Sequence, residues 1–290
     1  MQASNFDLQA YFRRIGFSAG DSAQADAATL HALMRQQLFS VPFENLDVQA
    51  GKIVSLVPED IAGKILGGAR GGYCYEVNGL FAMALQALGI AYRFVAARPM
   101  FYPARRPRTH MALVAEVEGR RWLCDLGFGS YGIRAPMALD VLDTEVRQDG
   151  DTFRLSLDDQ GEYLLQARVD GEWANQYAFN LSPQEWVDFA PANYLNSTHP
   201  DAIFVQKRVV VLHQPAGRMI LVGDALKTIT ASGTETKQLA PDEIQHALGS
   251  LVCFWDINGD AREIELLLLA GKEEVVLTKE QVAHRVLLAS

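Results

Sequence analysis

Cysteine is scarce in this chain: 290 residues hold only three, at positions 74, 124 and 253. An odd number so widely spaced leaves no support for a disulfide framework, and no CxxC pair is present to begin a zinc site. The thiols are expected to be reduced. Long apolar runs are missing as well. LLLLA at 266–270 is among the longest, whereas a membrane span needs roughly 18 to 20 residues. Asp7 interrupts the N-terminal MQASNFDLQAYFRRIGF where a secretory leader would need an unbroken apolar stretch, so export is not expected and a cytoplasmic location is. Positive charge is in deficit, with 26 Lys and Arg against 35 Asp and Glu and a net charge of −9. That balance argues against non-specific nucleic-acid binding but not against a small anion held locally. The local exception runs from Arg93 to Arg108, where five arginines occur without an acid. Neither internal repeats nor low-complexity tracts are found.

What is present is ordinary for a globular protein, 49% apolar and 21% charged residues. The length suits two or three compact units. The first ninety residues read as helical: Leu30, Leu33, Met34 and Leu38 recur at spacings of three and four, and FAMALQALGI repeats the pattern. Asp21 and Ser22 are candidate N-caps, and Gly89 is placed to end the helix that follows Cys74. VPFENLDV at 41–48 reads as a loop, broken by Pro42 and packed inward by Phe43 and Leu46. From about residue 92 the period shortens. YRFVAARPMF, HMALVAEV, RWLCDLGFG, TFRLSL and EYLLQAR are strand-like and separated by turn signals such as EGR at 118–120 and DDQG at 158–161. An antiparallel sheet or barrel is expected there. FAPANYLNSTHP at 189–200 reads as an irregular crossing into two further strands, FVQKRVVVLH and GRMILVG, followed by a helix near PDEIQHALGS. The fold class is therefore α+β.

Among the three thiols, Cys74 stands out by its neighbourhood, RGGYCYEVNG at 70–79. Gly71 and Gly72 permit a sharp turn, and a helix N-terminus just beyond favours a thiolate. A cysteine nucleophile needs a base and a group that orients the base. Of six histidines, His110 sits at the mouth of a strand, where its ring can point across a cleft. His31, His199, His213, His246 and His284 are assigned structural roles. Asp125 ends the next strand and can reach the His110 imidazole through the EGR turn. Spacing alone leaves a packed histidine and a catalytic one both open.

Four segments in order, VPFENLDV, RGGYCYEVNGLF, PRTHMALV and CDLGFGSYGIRAP, resemble those of the arylamine N-acetyltransferase family. WANQYAF and NYLNSTHPDAIF extend the resemblance to about residue 205. It implies three domains: a helical bundle over 1–91, a β-barrel over 92–205 and an α/β lid over 206–290. A cysteine-protease-like triad of Cys74, His110 and Asp125 would lie at their junction. It further implies that Arg70 and Glu76 form a charged scaffold beside the nucleophile, against the alternative of a solvated pair. Asn78 is expected to satisfy backbone groups of its own turn. Phe43 and Phe128 would wall an aromatic pocket closed by Phe204, and stacking there would be worth about 0.5 to 1.5 kcal/mol beyond burial. Simple core packing is the other reading of both walls. Gly127, Gly129 and Gly132 match GxGxxG literally, but no helix follows, so a dinucleotide fingerprint is not implied. In the resembling family this turn lies by coenzyme A. Arg105, Arg106 and Arg108 could meet its phosphates, or form a solvated loop. Cys124 and Cys253 are expected to be inert core thiols.

The implied activity is ping-pong acetyl transfer from acetyl-CoA, through a thioester on Cys74, to an arylamine or arylhydrazine, with no metal. An amide synthase that releases a polyketide-type chain onto an aromatic amine is the alternative. Cysteine hydrolases and transglutaminases share the triad, and a non-catalytic relative would have no need to keep it. The segment after about residue 250 departs from the family pattern, so acyl-donor length stays open, as does oligomeric state.

Overall fold

A computed structural model describes residues 1–18, 23–68, 70–129 and 131–252, and the backbone of two short strands at 265–267 and 274–276. The expected caps Asp21 and Ser22, together with Cys253 and His284, lie outside the described residues. The helical part comprises α1 (Leu8–Ile15), α2 (Ala27–Ser40), α3 (Leu46–Gln49), α4 (Pro58–Ala62) with a π turn after it, and α5 (Cys74–Ala87). Strand β1 (Phe43–Glu44) lies among them. Then come β2 (Ala91–Pro99), β3 (His110–Val117), β4 (Arg120–Cys124), β5 (Met137–Ala138), β6 (Val146–Gln148), β7 (Asp151–Leu157), β8 (Tyr163–Val169) and β9 (Glu172–Phe179). Helices α6 (Ala190–Thr198) and α7 (Ile203–Gln206) lead into β10 (Val209–Gln214), β11 (Gly217–Val222), β12 (Ala225–Thr230), β13 (Gly233–Gln238) and α8 (Pro241–Val252). Strands β14 (Glu265–Leu267) and β15 (Glu274–Val276) pair with each other.

The helix that matters most is α5. Every residue from Cys74 to Leu85 is buried, the mark of a helix apolar on all sides and enclosed by the fold. Its end follows the sequence: Gly89 takes φ +70°, and Ile90 N–H closes back on Leu85 O. The N-cap of α2 is Asp26, whose carboxylate accepts from Thr29 N–H at 2.7 Å. The four apolar residues named for that helix are all buried.

The larger sheet is antiparallel throughout, in the order β5-β4-β3-β2-β9-β8-β7-β6. The two-residue turn Glu118–Gly119, with both φ values positive, joins β3 to β4 as EGR suggested. No strand pairing joins the edges β5 and β6 among the described residues, so the ladder itself is an open half-barrel rather than a closed one. A side chain spans the gap. The Gln148 amide on β6 accepts from Arg134 N–H (2.6 Å) and Ala135 N–H (3.1 Å) and donates to Ala135 O (2.9 Å), just ahead of β5.

Two stretches differ from the sequence reading. VPFENLDV contains a strand, because Phe43 and Glu44 pair with Val211 and Val210 as the edge of the five-stranded sheet β1-β10-β11-β12-β13. The residues before 91 are thus not a purely helical unit. FAPANYLNSTHP forms α6, because Pro191 falls in the first turn, where its missing N–H has no helical partner to lose. The asparagines are anchors: Asn193 donates to Val54 O (2.8 Å) and Asn196 to Thr109 O (3.0 Å). Strands of the larger sheet stop at Phe179, so the end of the region assigned to a barrel is helical.

Replacing Gln148 by Leu leaves two buried N–H groups and one carbonyl without partners, which should destabilise the fold by about 2 to 4 kcal/mol. A denaturant midpoint within error of the parent's would show that packing alone closes the sheet.

Candidate active site

Cys74 is the first residue of α5, so its backbone stands at the positive end of a helix whose first N–H groups have no carbonyl inside the helix to bond. The turn before it is packed too tightly for side chains. A Cβ on Gly71 would sit 2.0 Å from Pro42 O, and one on Gly72 would sit 2.6 Å from the Glu76 side chain. Neither glycine has a positive φ; they are needed for their lack of bulk, not for unusual angles. Tyr73 N–H donates to Glu76 Oε2 at 3.0 Å and closes the helix start.

His110 opens β3, and Asp125 follows the last residue of β4. Antiparallel pairing of the two strands sets the ring and the carboxylate side by side. His110 Nε2 meets Asp125 Oδ2 at 2.7 Å, with the imidazole 6% exposed and the carboxylate fully buried. Asp125 accepts through that bond, so Nε2 carries the hydrogen and Nδ1 is the nitrogen left for the Cys74 sulfur. Burial alone would depress the His110 pKa, but the Asp125 charge, its hydrogen bond and the Cys74 sulfur outweigh it and hold the ring at about 10. Burial alone would raise Asp125. The His110 charge and bond, Gly127 N–H and the Asn78 amide hold it below the usual carboxylate range instead.

Asn78 fastens this pair to the helix. Its Nδ2 donates to Met111 O (2.7 Å) and Asp125 Oδ1 (3.2 Å), and its Oδ1 accepts from Leu126 N–H (2.9 Å). The expectation that Asn78 serves its own turn is corrected: it spans from α5 to both strands. Gly127 completes the contact, because a Cβ there would lie 2.5 Å from Cys74 Cα. The space left by its missing side chain is taken by the nucleophile's own backbone.

Arg70 and Glu76 belong to one ionic network, buried at Glu44 and Glu76 and half-buried at Asp47, Lys64 and Arg70, rather than a solvated pair. Lys64 Nζ meets Asp47 (2.6 Å), Glu76 (2.7 Å) and Glu44 (3.5 Å), and Arg70 meets Glu44 at 2.8 Å. Burial pushes the Glu76 carboxyl up to about 7 although Lys64 opposes it. The aromatic residues form two groups. Phe43, Phe204 and Tyr73 meet at ring distances of 5.7 and 5.8 Å on the helix side. Phe128 stands edge-on to His110 at 5.1 Å and 4.8 Å from Tyr177. Arg106 lies over Tyr102, Arg105 is exposed, and Arg108 is engaged by Ala96 O and Glu162. Burial pushes the Cys124 thiol far up, which leaves it inert.

A family model described as N-acetyltransferase matches residues 26–252. The chain is 33% identical over 214 residues to the arylamine N-acetyltransferase of Escherichia coli, covering 72% of this chain and 74% of that one. The chain belongs to the arylamine N-acetyltransferase family. Solved structures agree. That of the Mycobacterium tuberculosis arylamine N-acetyltransferase superposes with a TM-score of 0.79 at 31% identity, covering 84% of this chain and 92% of that one. The Mycobacterium marinum enzyme in complex with CoA gives 0.78 at 31% identity, over 84% and 91%.

For a member of this family, several residues of the site were not singled out from the sequence. Glu44 and Asp47 lay inside the quoted VPFENLDV, where two acids three residues apart in an otherwise largely apolar stretch were a usable signal. Tyr177 lay inside the quoted WANQYAF, but in an ordinary strand, and Lys64, in a π turn, had no signal.

Because the folded His110 pKa of about 10 lies above its ordinary value of 6.5, the ring's contribution to stability is complete below pH 6.5 and is lost as pH rises through about 10. Denaturant midpoints followed across that window should fall less steeply in His110→Gln than in the parent. Parallel profiles would contradict the assignment.

Proposed function

We propose that this chain transfers an acetyl group from acetyl-CoA, through a thioester on Cys74, to an arylamine or arylhydrazine. The observation that carries the reading is the buried Asp125–His110 bond, which leaves Nδ1 turned to a cysteine at a helix N-terminus. In the first half-reaction His110 holds the proton taken from Cys74, and the thiolate attacks the acetyl carbonyl carbon. The bond from that carbon to the coenzyme A sulfur breaks, and His110 returns its proton to the departing thiolate. In the second, the arylamine nitrogen attacks the thioester carbonyl and His110 takes the amine proton. The Cys74 thiolate leaves, and the N-acetyl product departs.

The first N–H groups of α5, those of Cys74 and Tyr75, are in place to receive the oxyanion of each tetrahedral intermediate. Asp125 keeps the ring oriented and stabilises it when charged. Phe128, half-buried and backed by the fully buried Tyr177, offers a flat apolar wall to a planar acceptor, while Phe43 and Phe204 pack together and against Tyr73, the residue before the nucleophile. We assign the exposed Arg105 and its neighbour Arg106 to the phosphates of coenzyme A, since both stand at the mouth of the strand that His110 opens. We read the chain as three units meeting at the triad, 1–91, 92–205 and 206–290, with β1 lent by the first to the sheet of the third. We read the enzyme as cytoplasmic, where a thiol would stay reduced and acetyl-CoA would be supplied; no described helix is long and apolar enough to cross a membrane.

Intact-mass analysis after incubation with acetyl-CoA should show one acetyl adduct, lost in Cys74→Ala and discharged by an arylamine. His110→Gln should slow adduct formation by about 10²- to 10⁴-fold. An adduct formed only from a longer acyl-carrier thioester would favour amide synthesis and overturn the acetyl assignment.

A further inference from the structure

His213 was expected to be structural, yet it is buried against the loop that carries Phe128. Its Nε2 donates to Gly129 O at 3.0 Å, and its Nδ1 faces the Arg134 guanidinium at 3.4 Å. Burial and the charges of Arg134 and Arg218 hold the ring's pKa down at about 3, so it stays neutral with a fixed donor. Directly across the β10–β11 ladder stands Arg218, paired in register with His213. The Arg218 guanidinium lies 4.5 Å over the Tyr131 ring and donates to Asp151 Oδ2 at 2.6 Å. One cross-strand pair therefore grips the loop at two points, Gly129 and Tyr131.

Phe128 immediately precedes the first of these points. On its N-terminal side, Gly127 N–H is bonded to Asp125 Oδ1 at 2.9 Å. On its C-terminal side, Gly129 adopts φ +89°, and the nearest atom to the space beside it is Val211 Cγ2, also from β10. The triad sets one end of this short span and the five-stranded sheet sets the other. We propose that His213 and Arg218 are positioning residues that fix Phe128 as the acceptor wall and thereby set affinity for the arylamine. Neither is hydrogen-bonded to Cys74 or His110, and the coenzyme A phosphates are assigned to Arg105 and Arg106 rather than to the glycine turn, so loosening the pair should act on the acceptor wall and spare the attack on acetyl-CoA.

This inference rests on the acyl-transfer reading, and the two fail separately. His213→Leu should raise KM for an arylamine roughly tenfold, the scale of one lost buried hydrogen bond. The rate of Cys74 acetylation by acetyl-CoA, read by mass, should stay that of the parent. His213→Gln, which keeps a donor within reach of Gly129 O, should restore KM. Should His213→Leu fail to fold, Arg218→Lys carries the same test, since it keeps the ion pair with Asp151 but removes the flat cation over Tyr131. An unchanged KM in the folded variants would overturn the inference. So would a parallel loss of acetylation and transfer that His213→Gln does not restore. Absence of any acetyl adduct in the parent would instead overturn the acyl-transfer reading itself.

Discussion

A carboxylate with no solvent exposure is tolerable only if both of its oxygens are hydrogen-bonded. Asp125 meets that condition through His110, Gly127 N–H and the Asn78 amide, and the rest of the site follows from how the condition is met. Asn78 stands one turn along α5 from Cys74, so the group that satisfies Asp125 also fixes the nucleophile's helix to β3 and β4. Gly127 satisfies Asp125 by its N–H and lets Cys74 approach by its missing side chain. Removing any one of these groups disturbs both the charge and the distance it controls.

The helix that presents Cys74 is held at the same end by charge. Arg14 donates to Ile65 O, Ser40 O and Arg70 O, which gathers three segments around the turn before the nucleophile. Lys64 and Arg70 then hold Glu44, Asp47 and Glu76 together beneath it. A partly buried network of this kind adds little net stability over apolar packing, but it penalises every arrangement in which one charge is left alone. Placement of the helix start is what it secures.

Much of this was legible in the sequence where chemistry and pattern coincide. Cys74 beside two glycines, His110 at a strand mouth and Asp125 at the end of the next strand are local signals, and the EGR turn made the two strands neighbours. The helical period of α2, the stop at Gly89 and most strands of the larger sheet follow from apolar spacing. The rest fails for identifiable reasons. Pro191 reads as a breaker unless its place in a first turn is known. Strand β13 is exposed along its whole length, so no apolar alternation marks it. Strand β1 has two residues and depends on a partner more than 160 positions away. His213 looked like any histidine at a strand end, because the atom it bonds is a backbone carbonyl that carries no signal of its own.

The charge state of His110 tests the arrangement most directly. Nitrogen-15 labelling of the imidazole, with spectra followed from neutral to alkaline pH, reports whether both ring nitrogens hold protons. A ring that remains doubly protonated at pH 8 and titrates near 10 is the expected result. A neutral ring at pH 8 with a midpoint near the ordinary 6.5 would contradict it, because the buried carboxylate would then not be holding the proton from which the proposed chemistry begins.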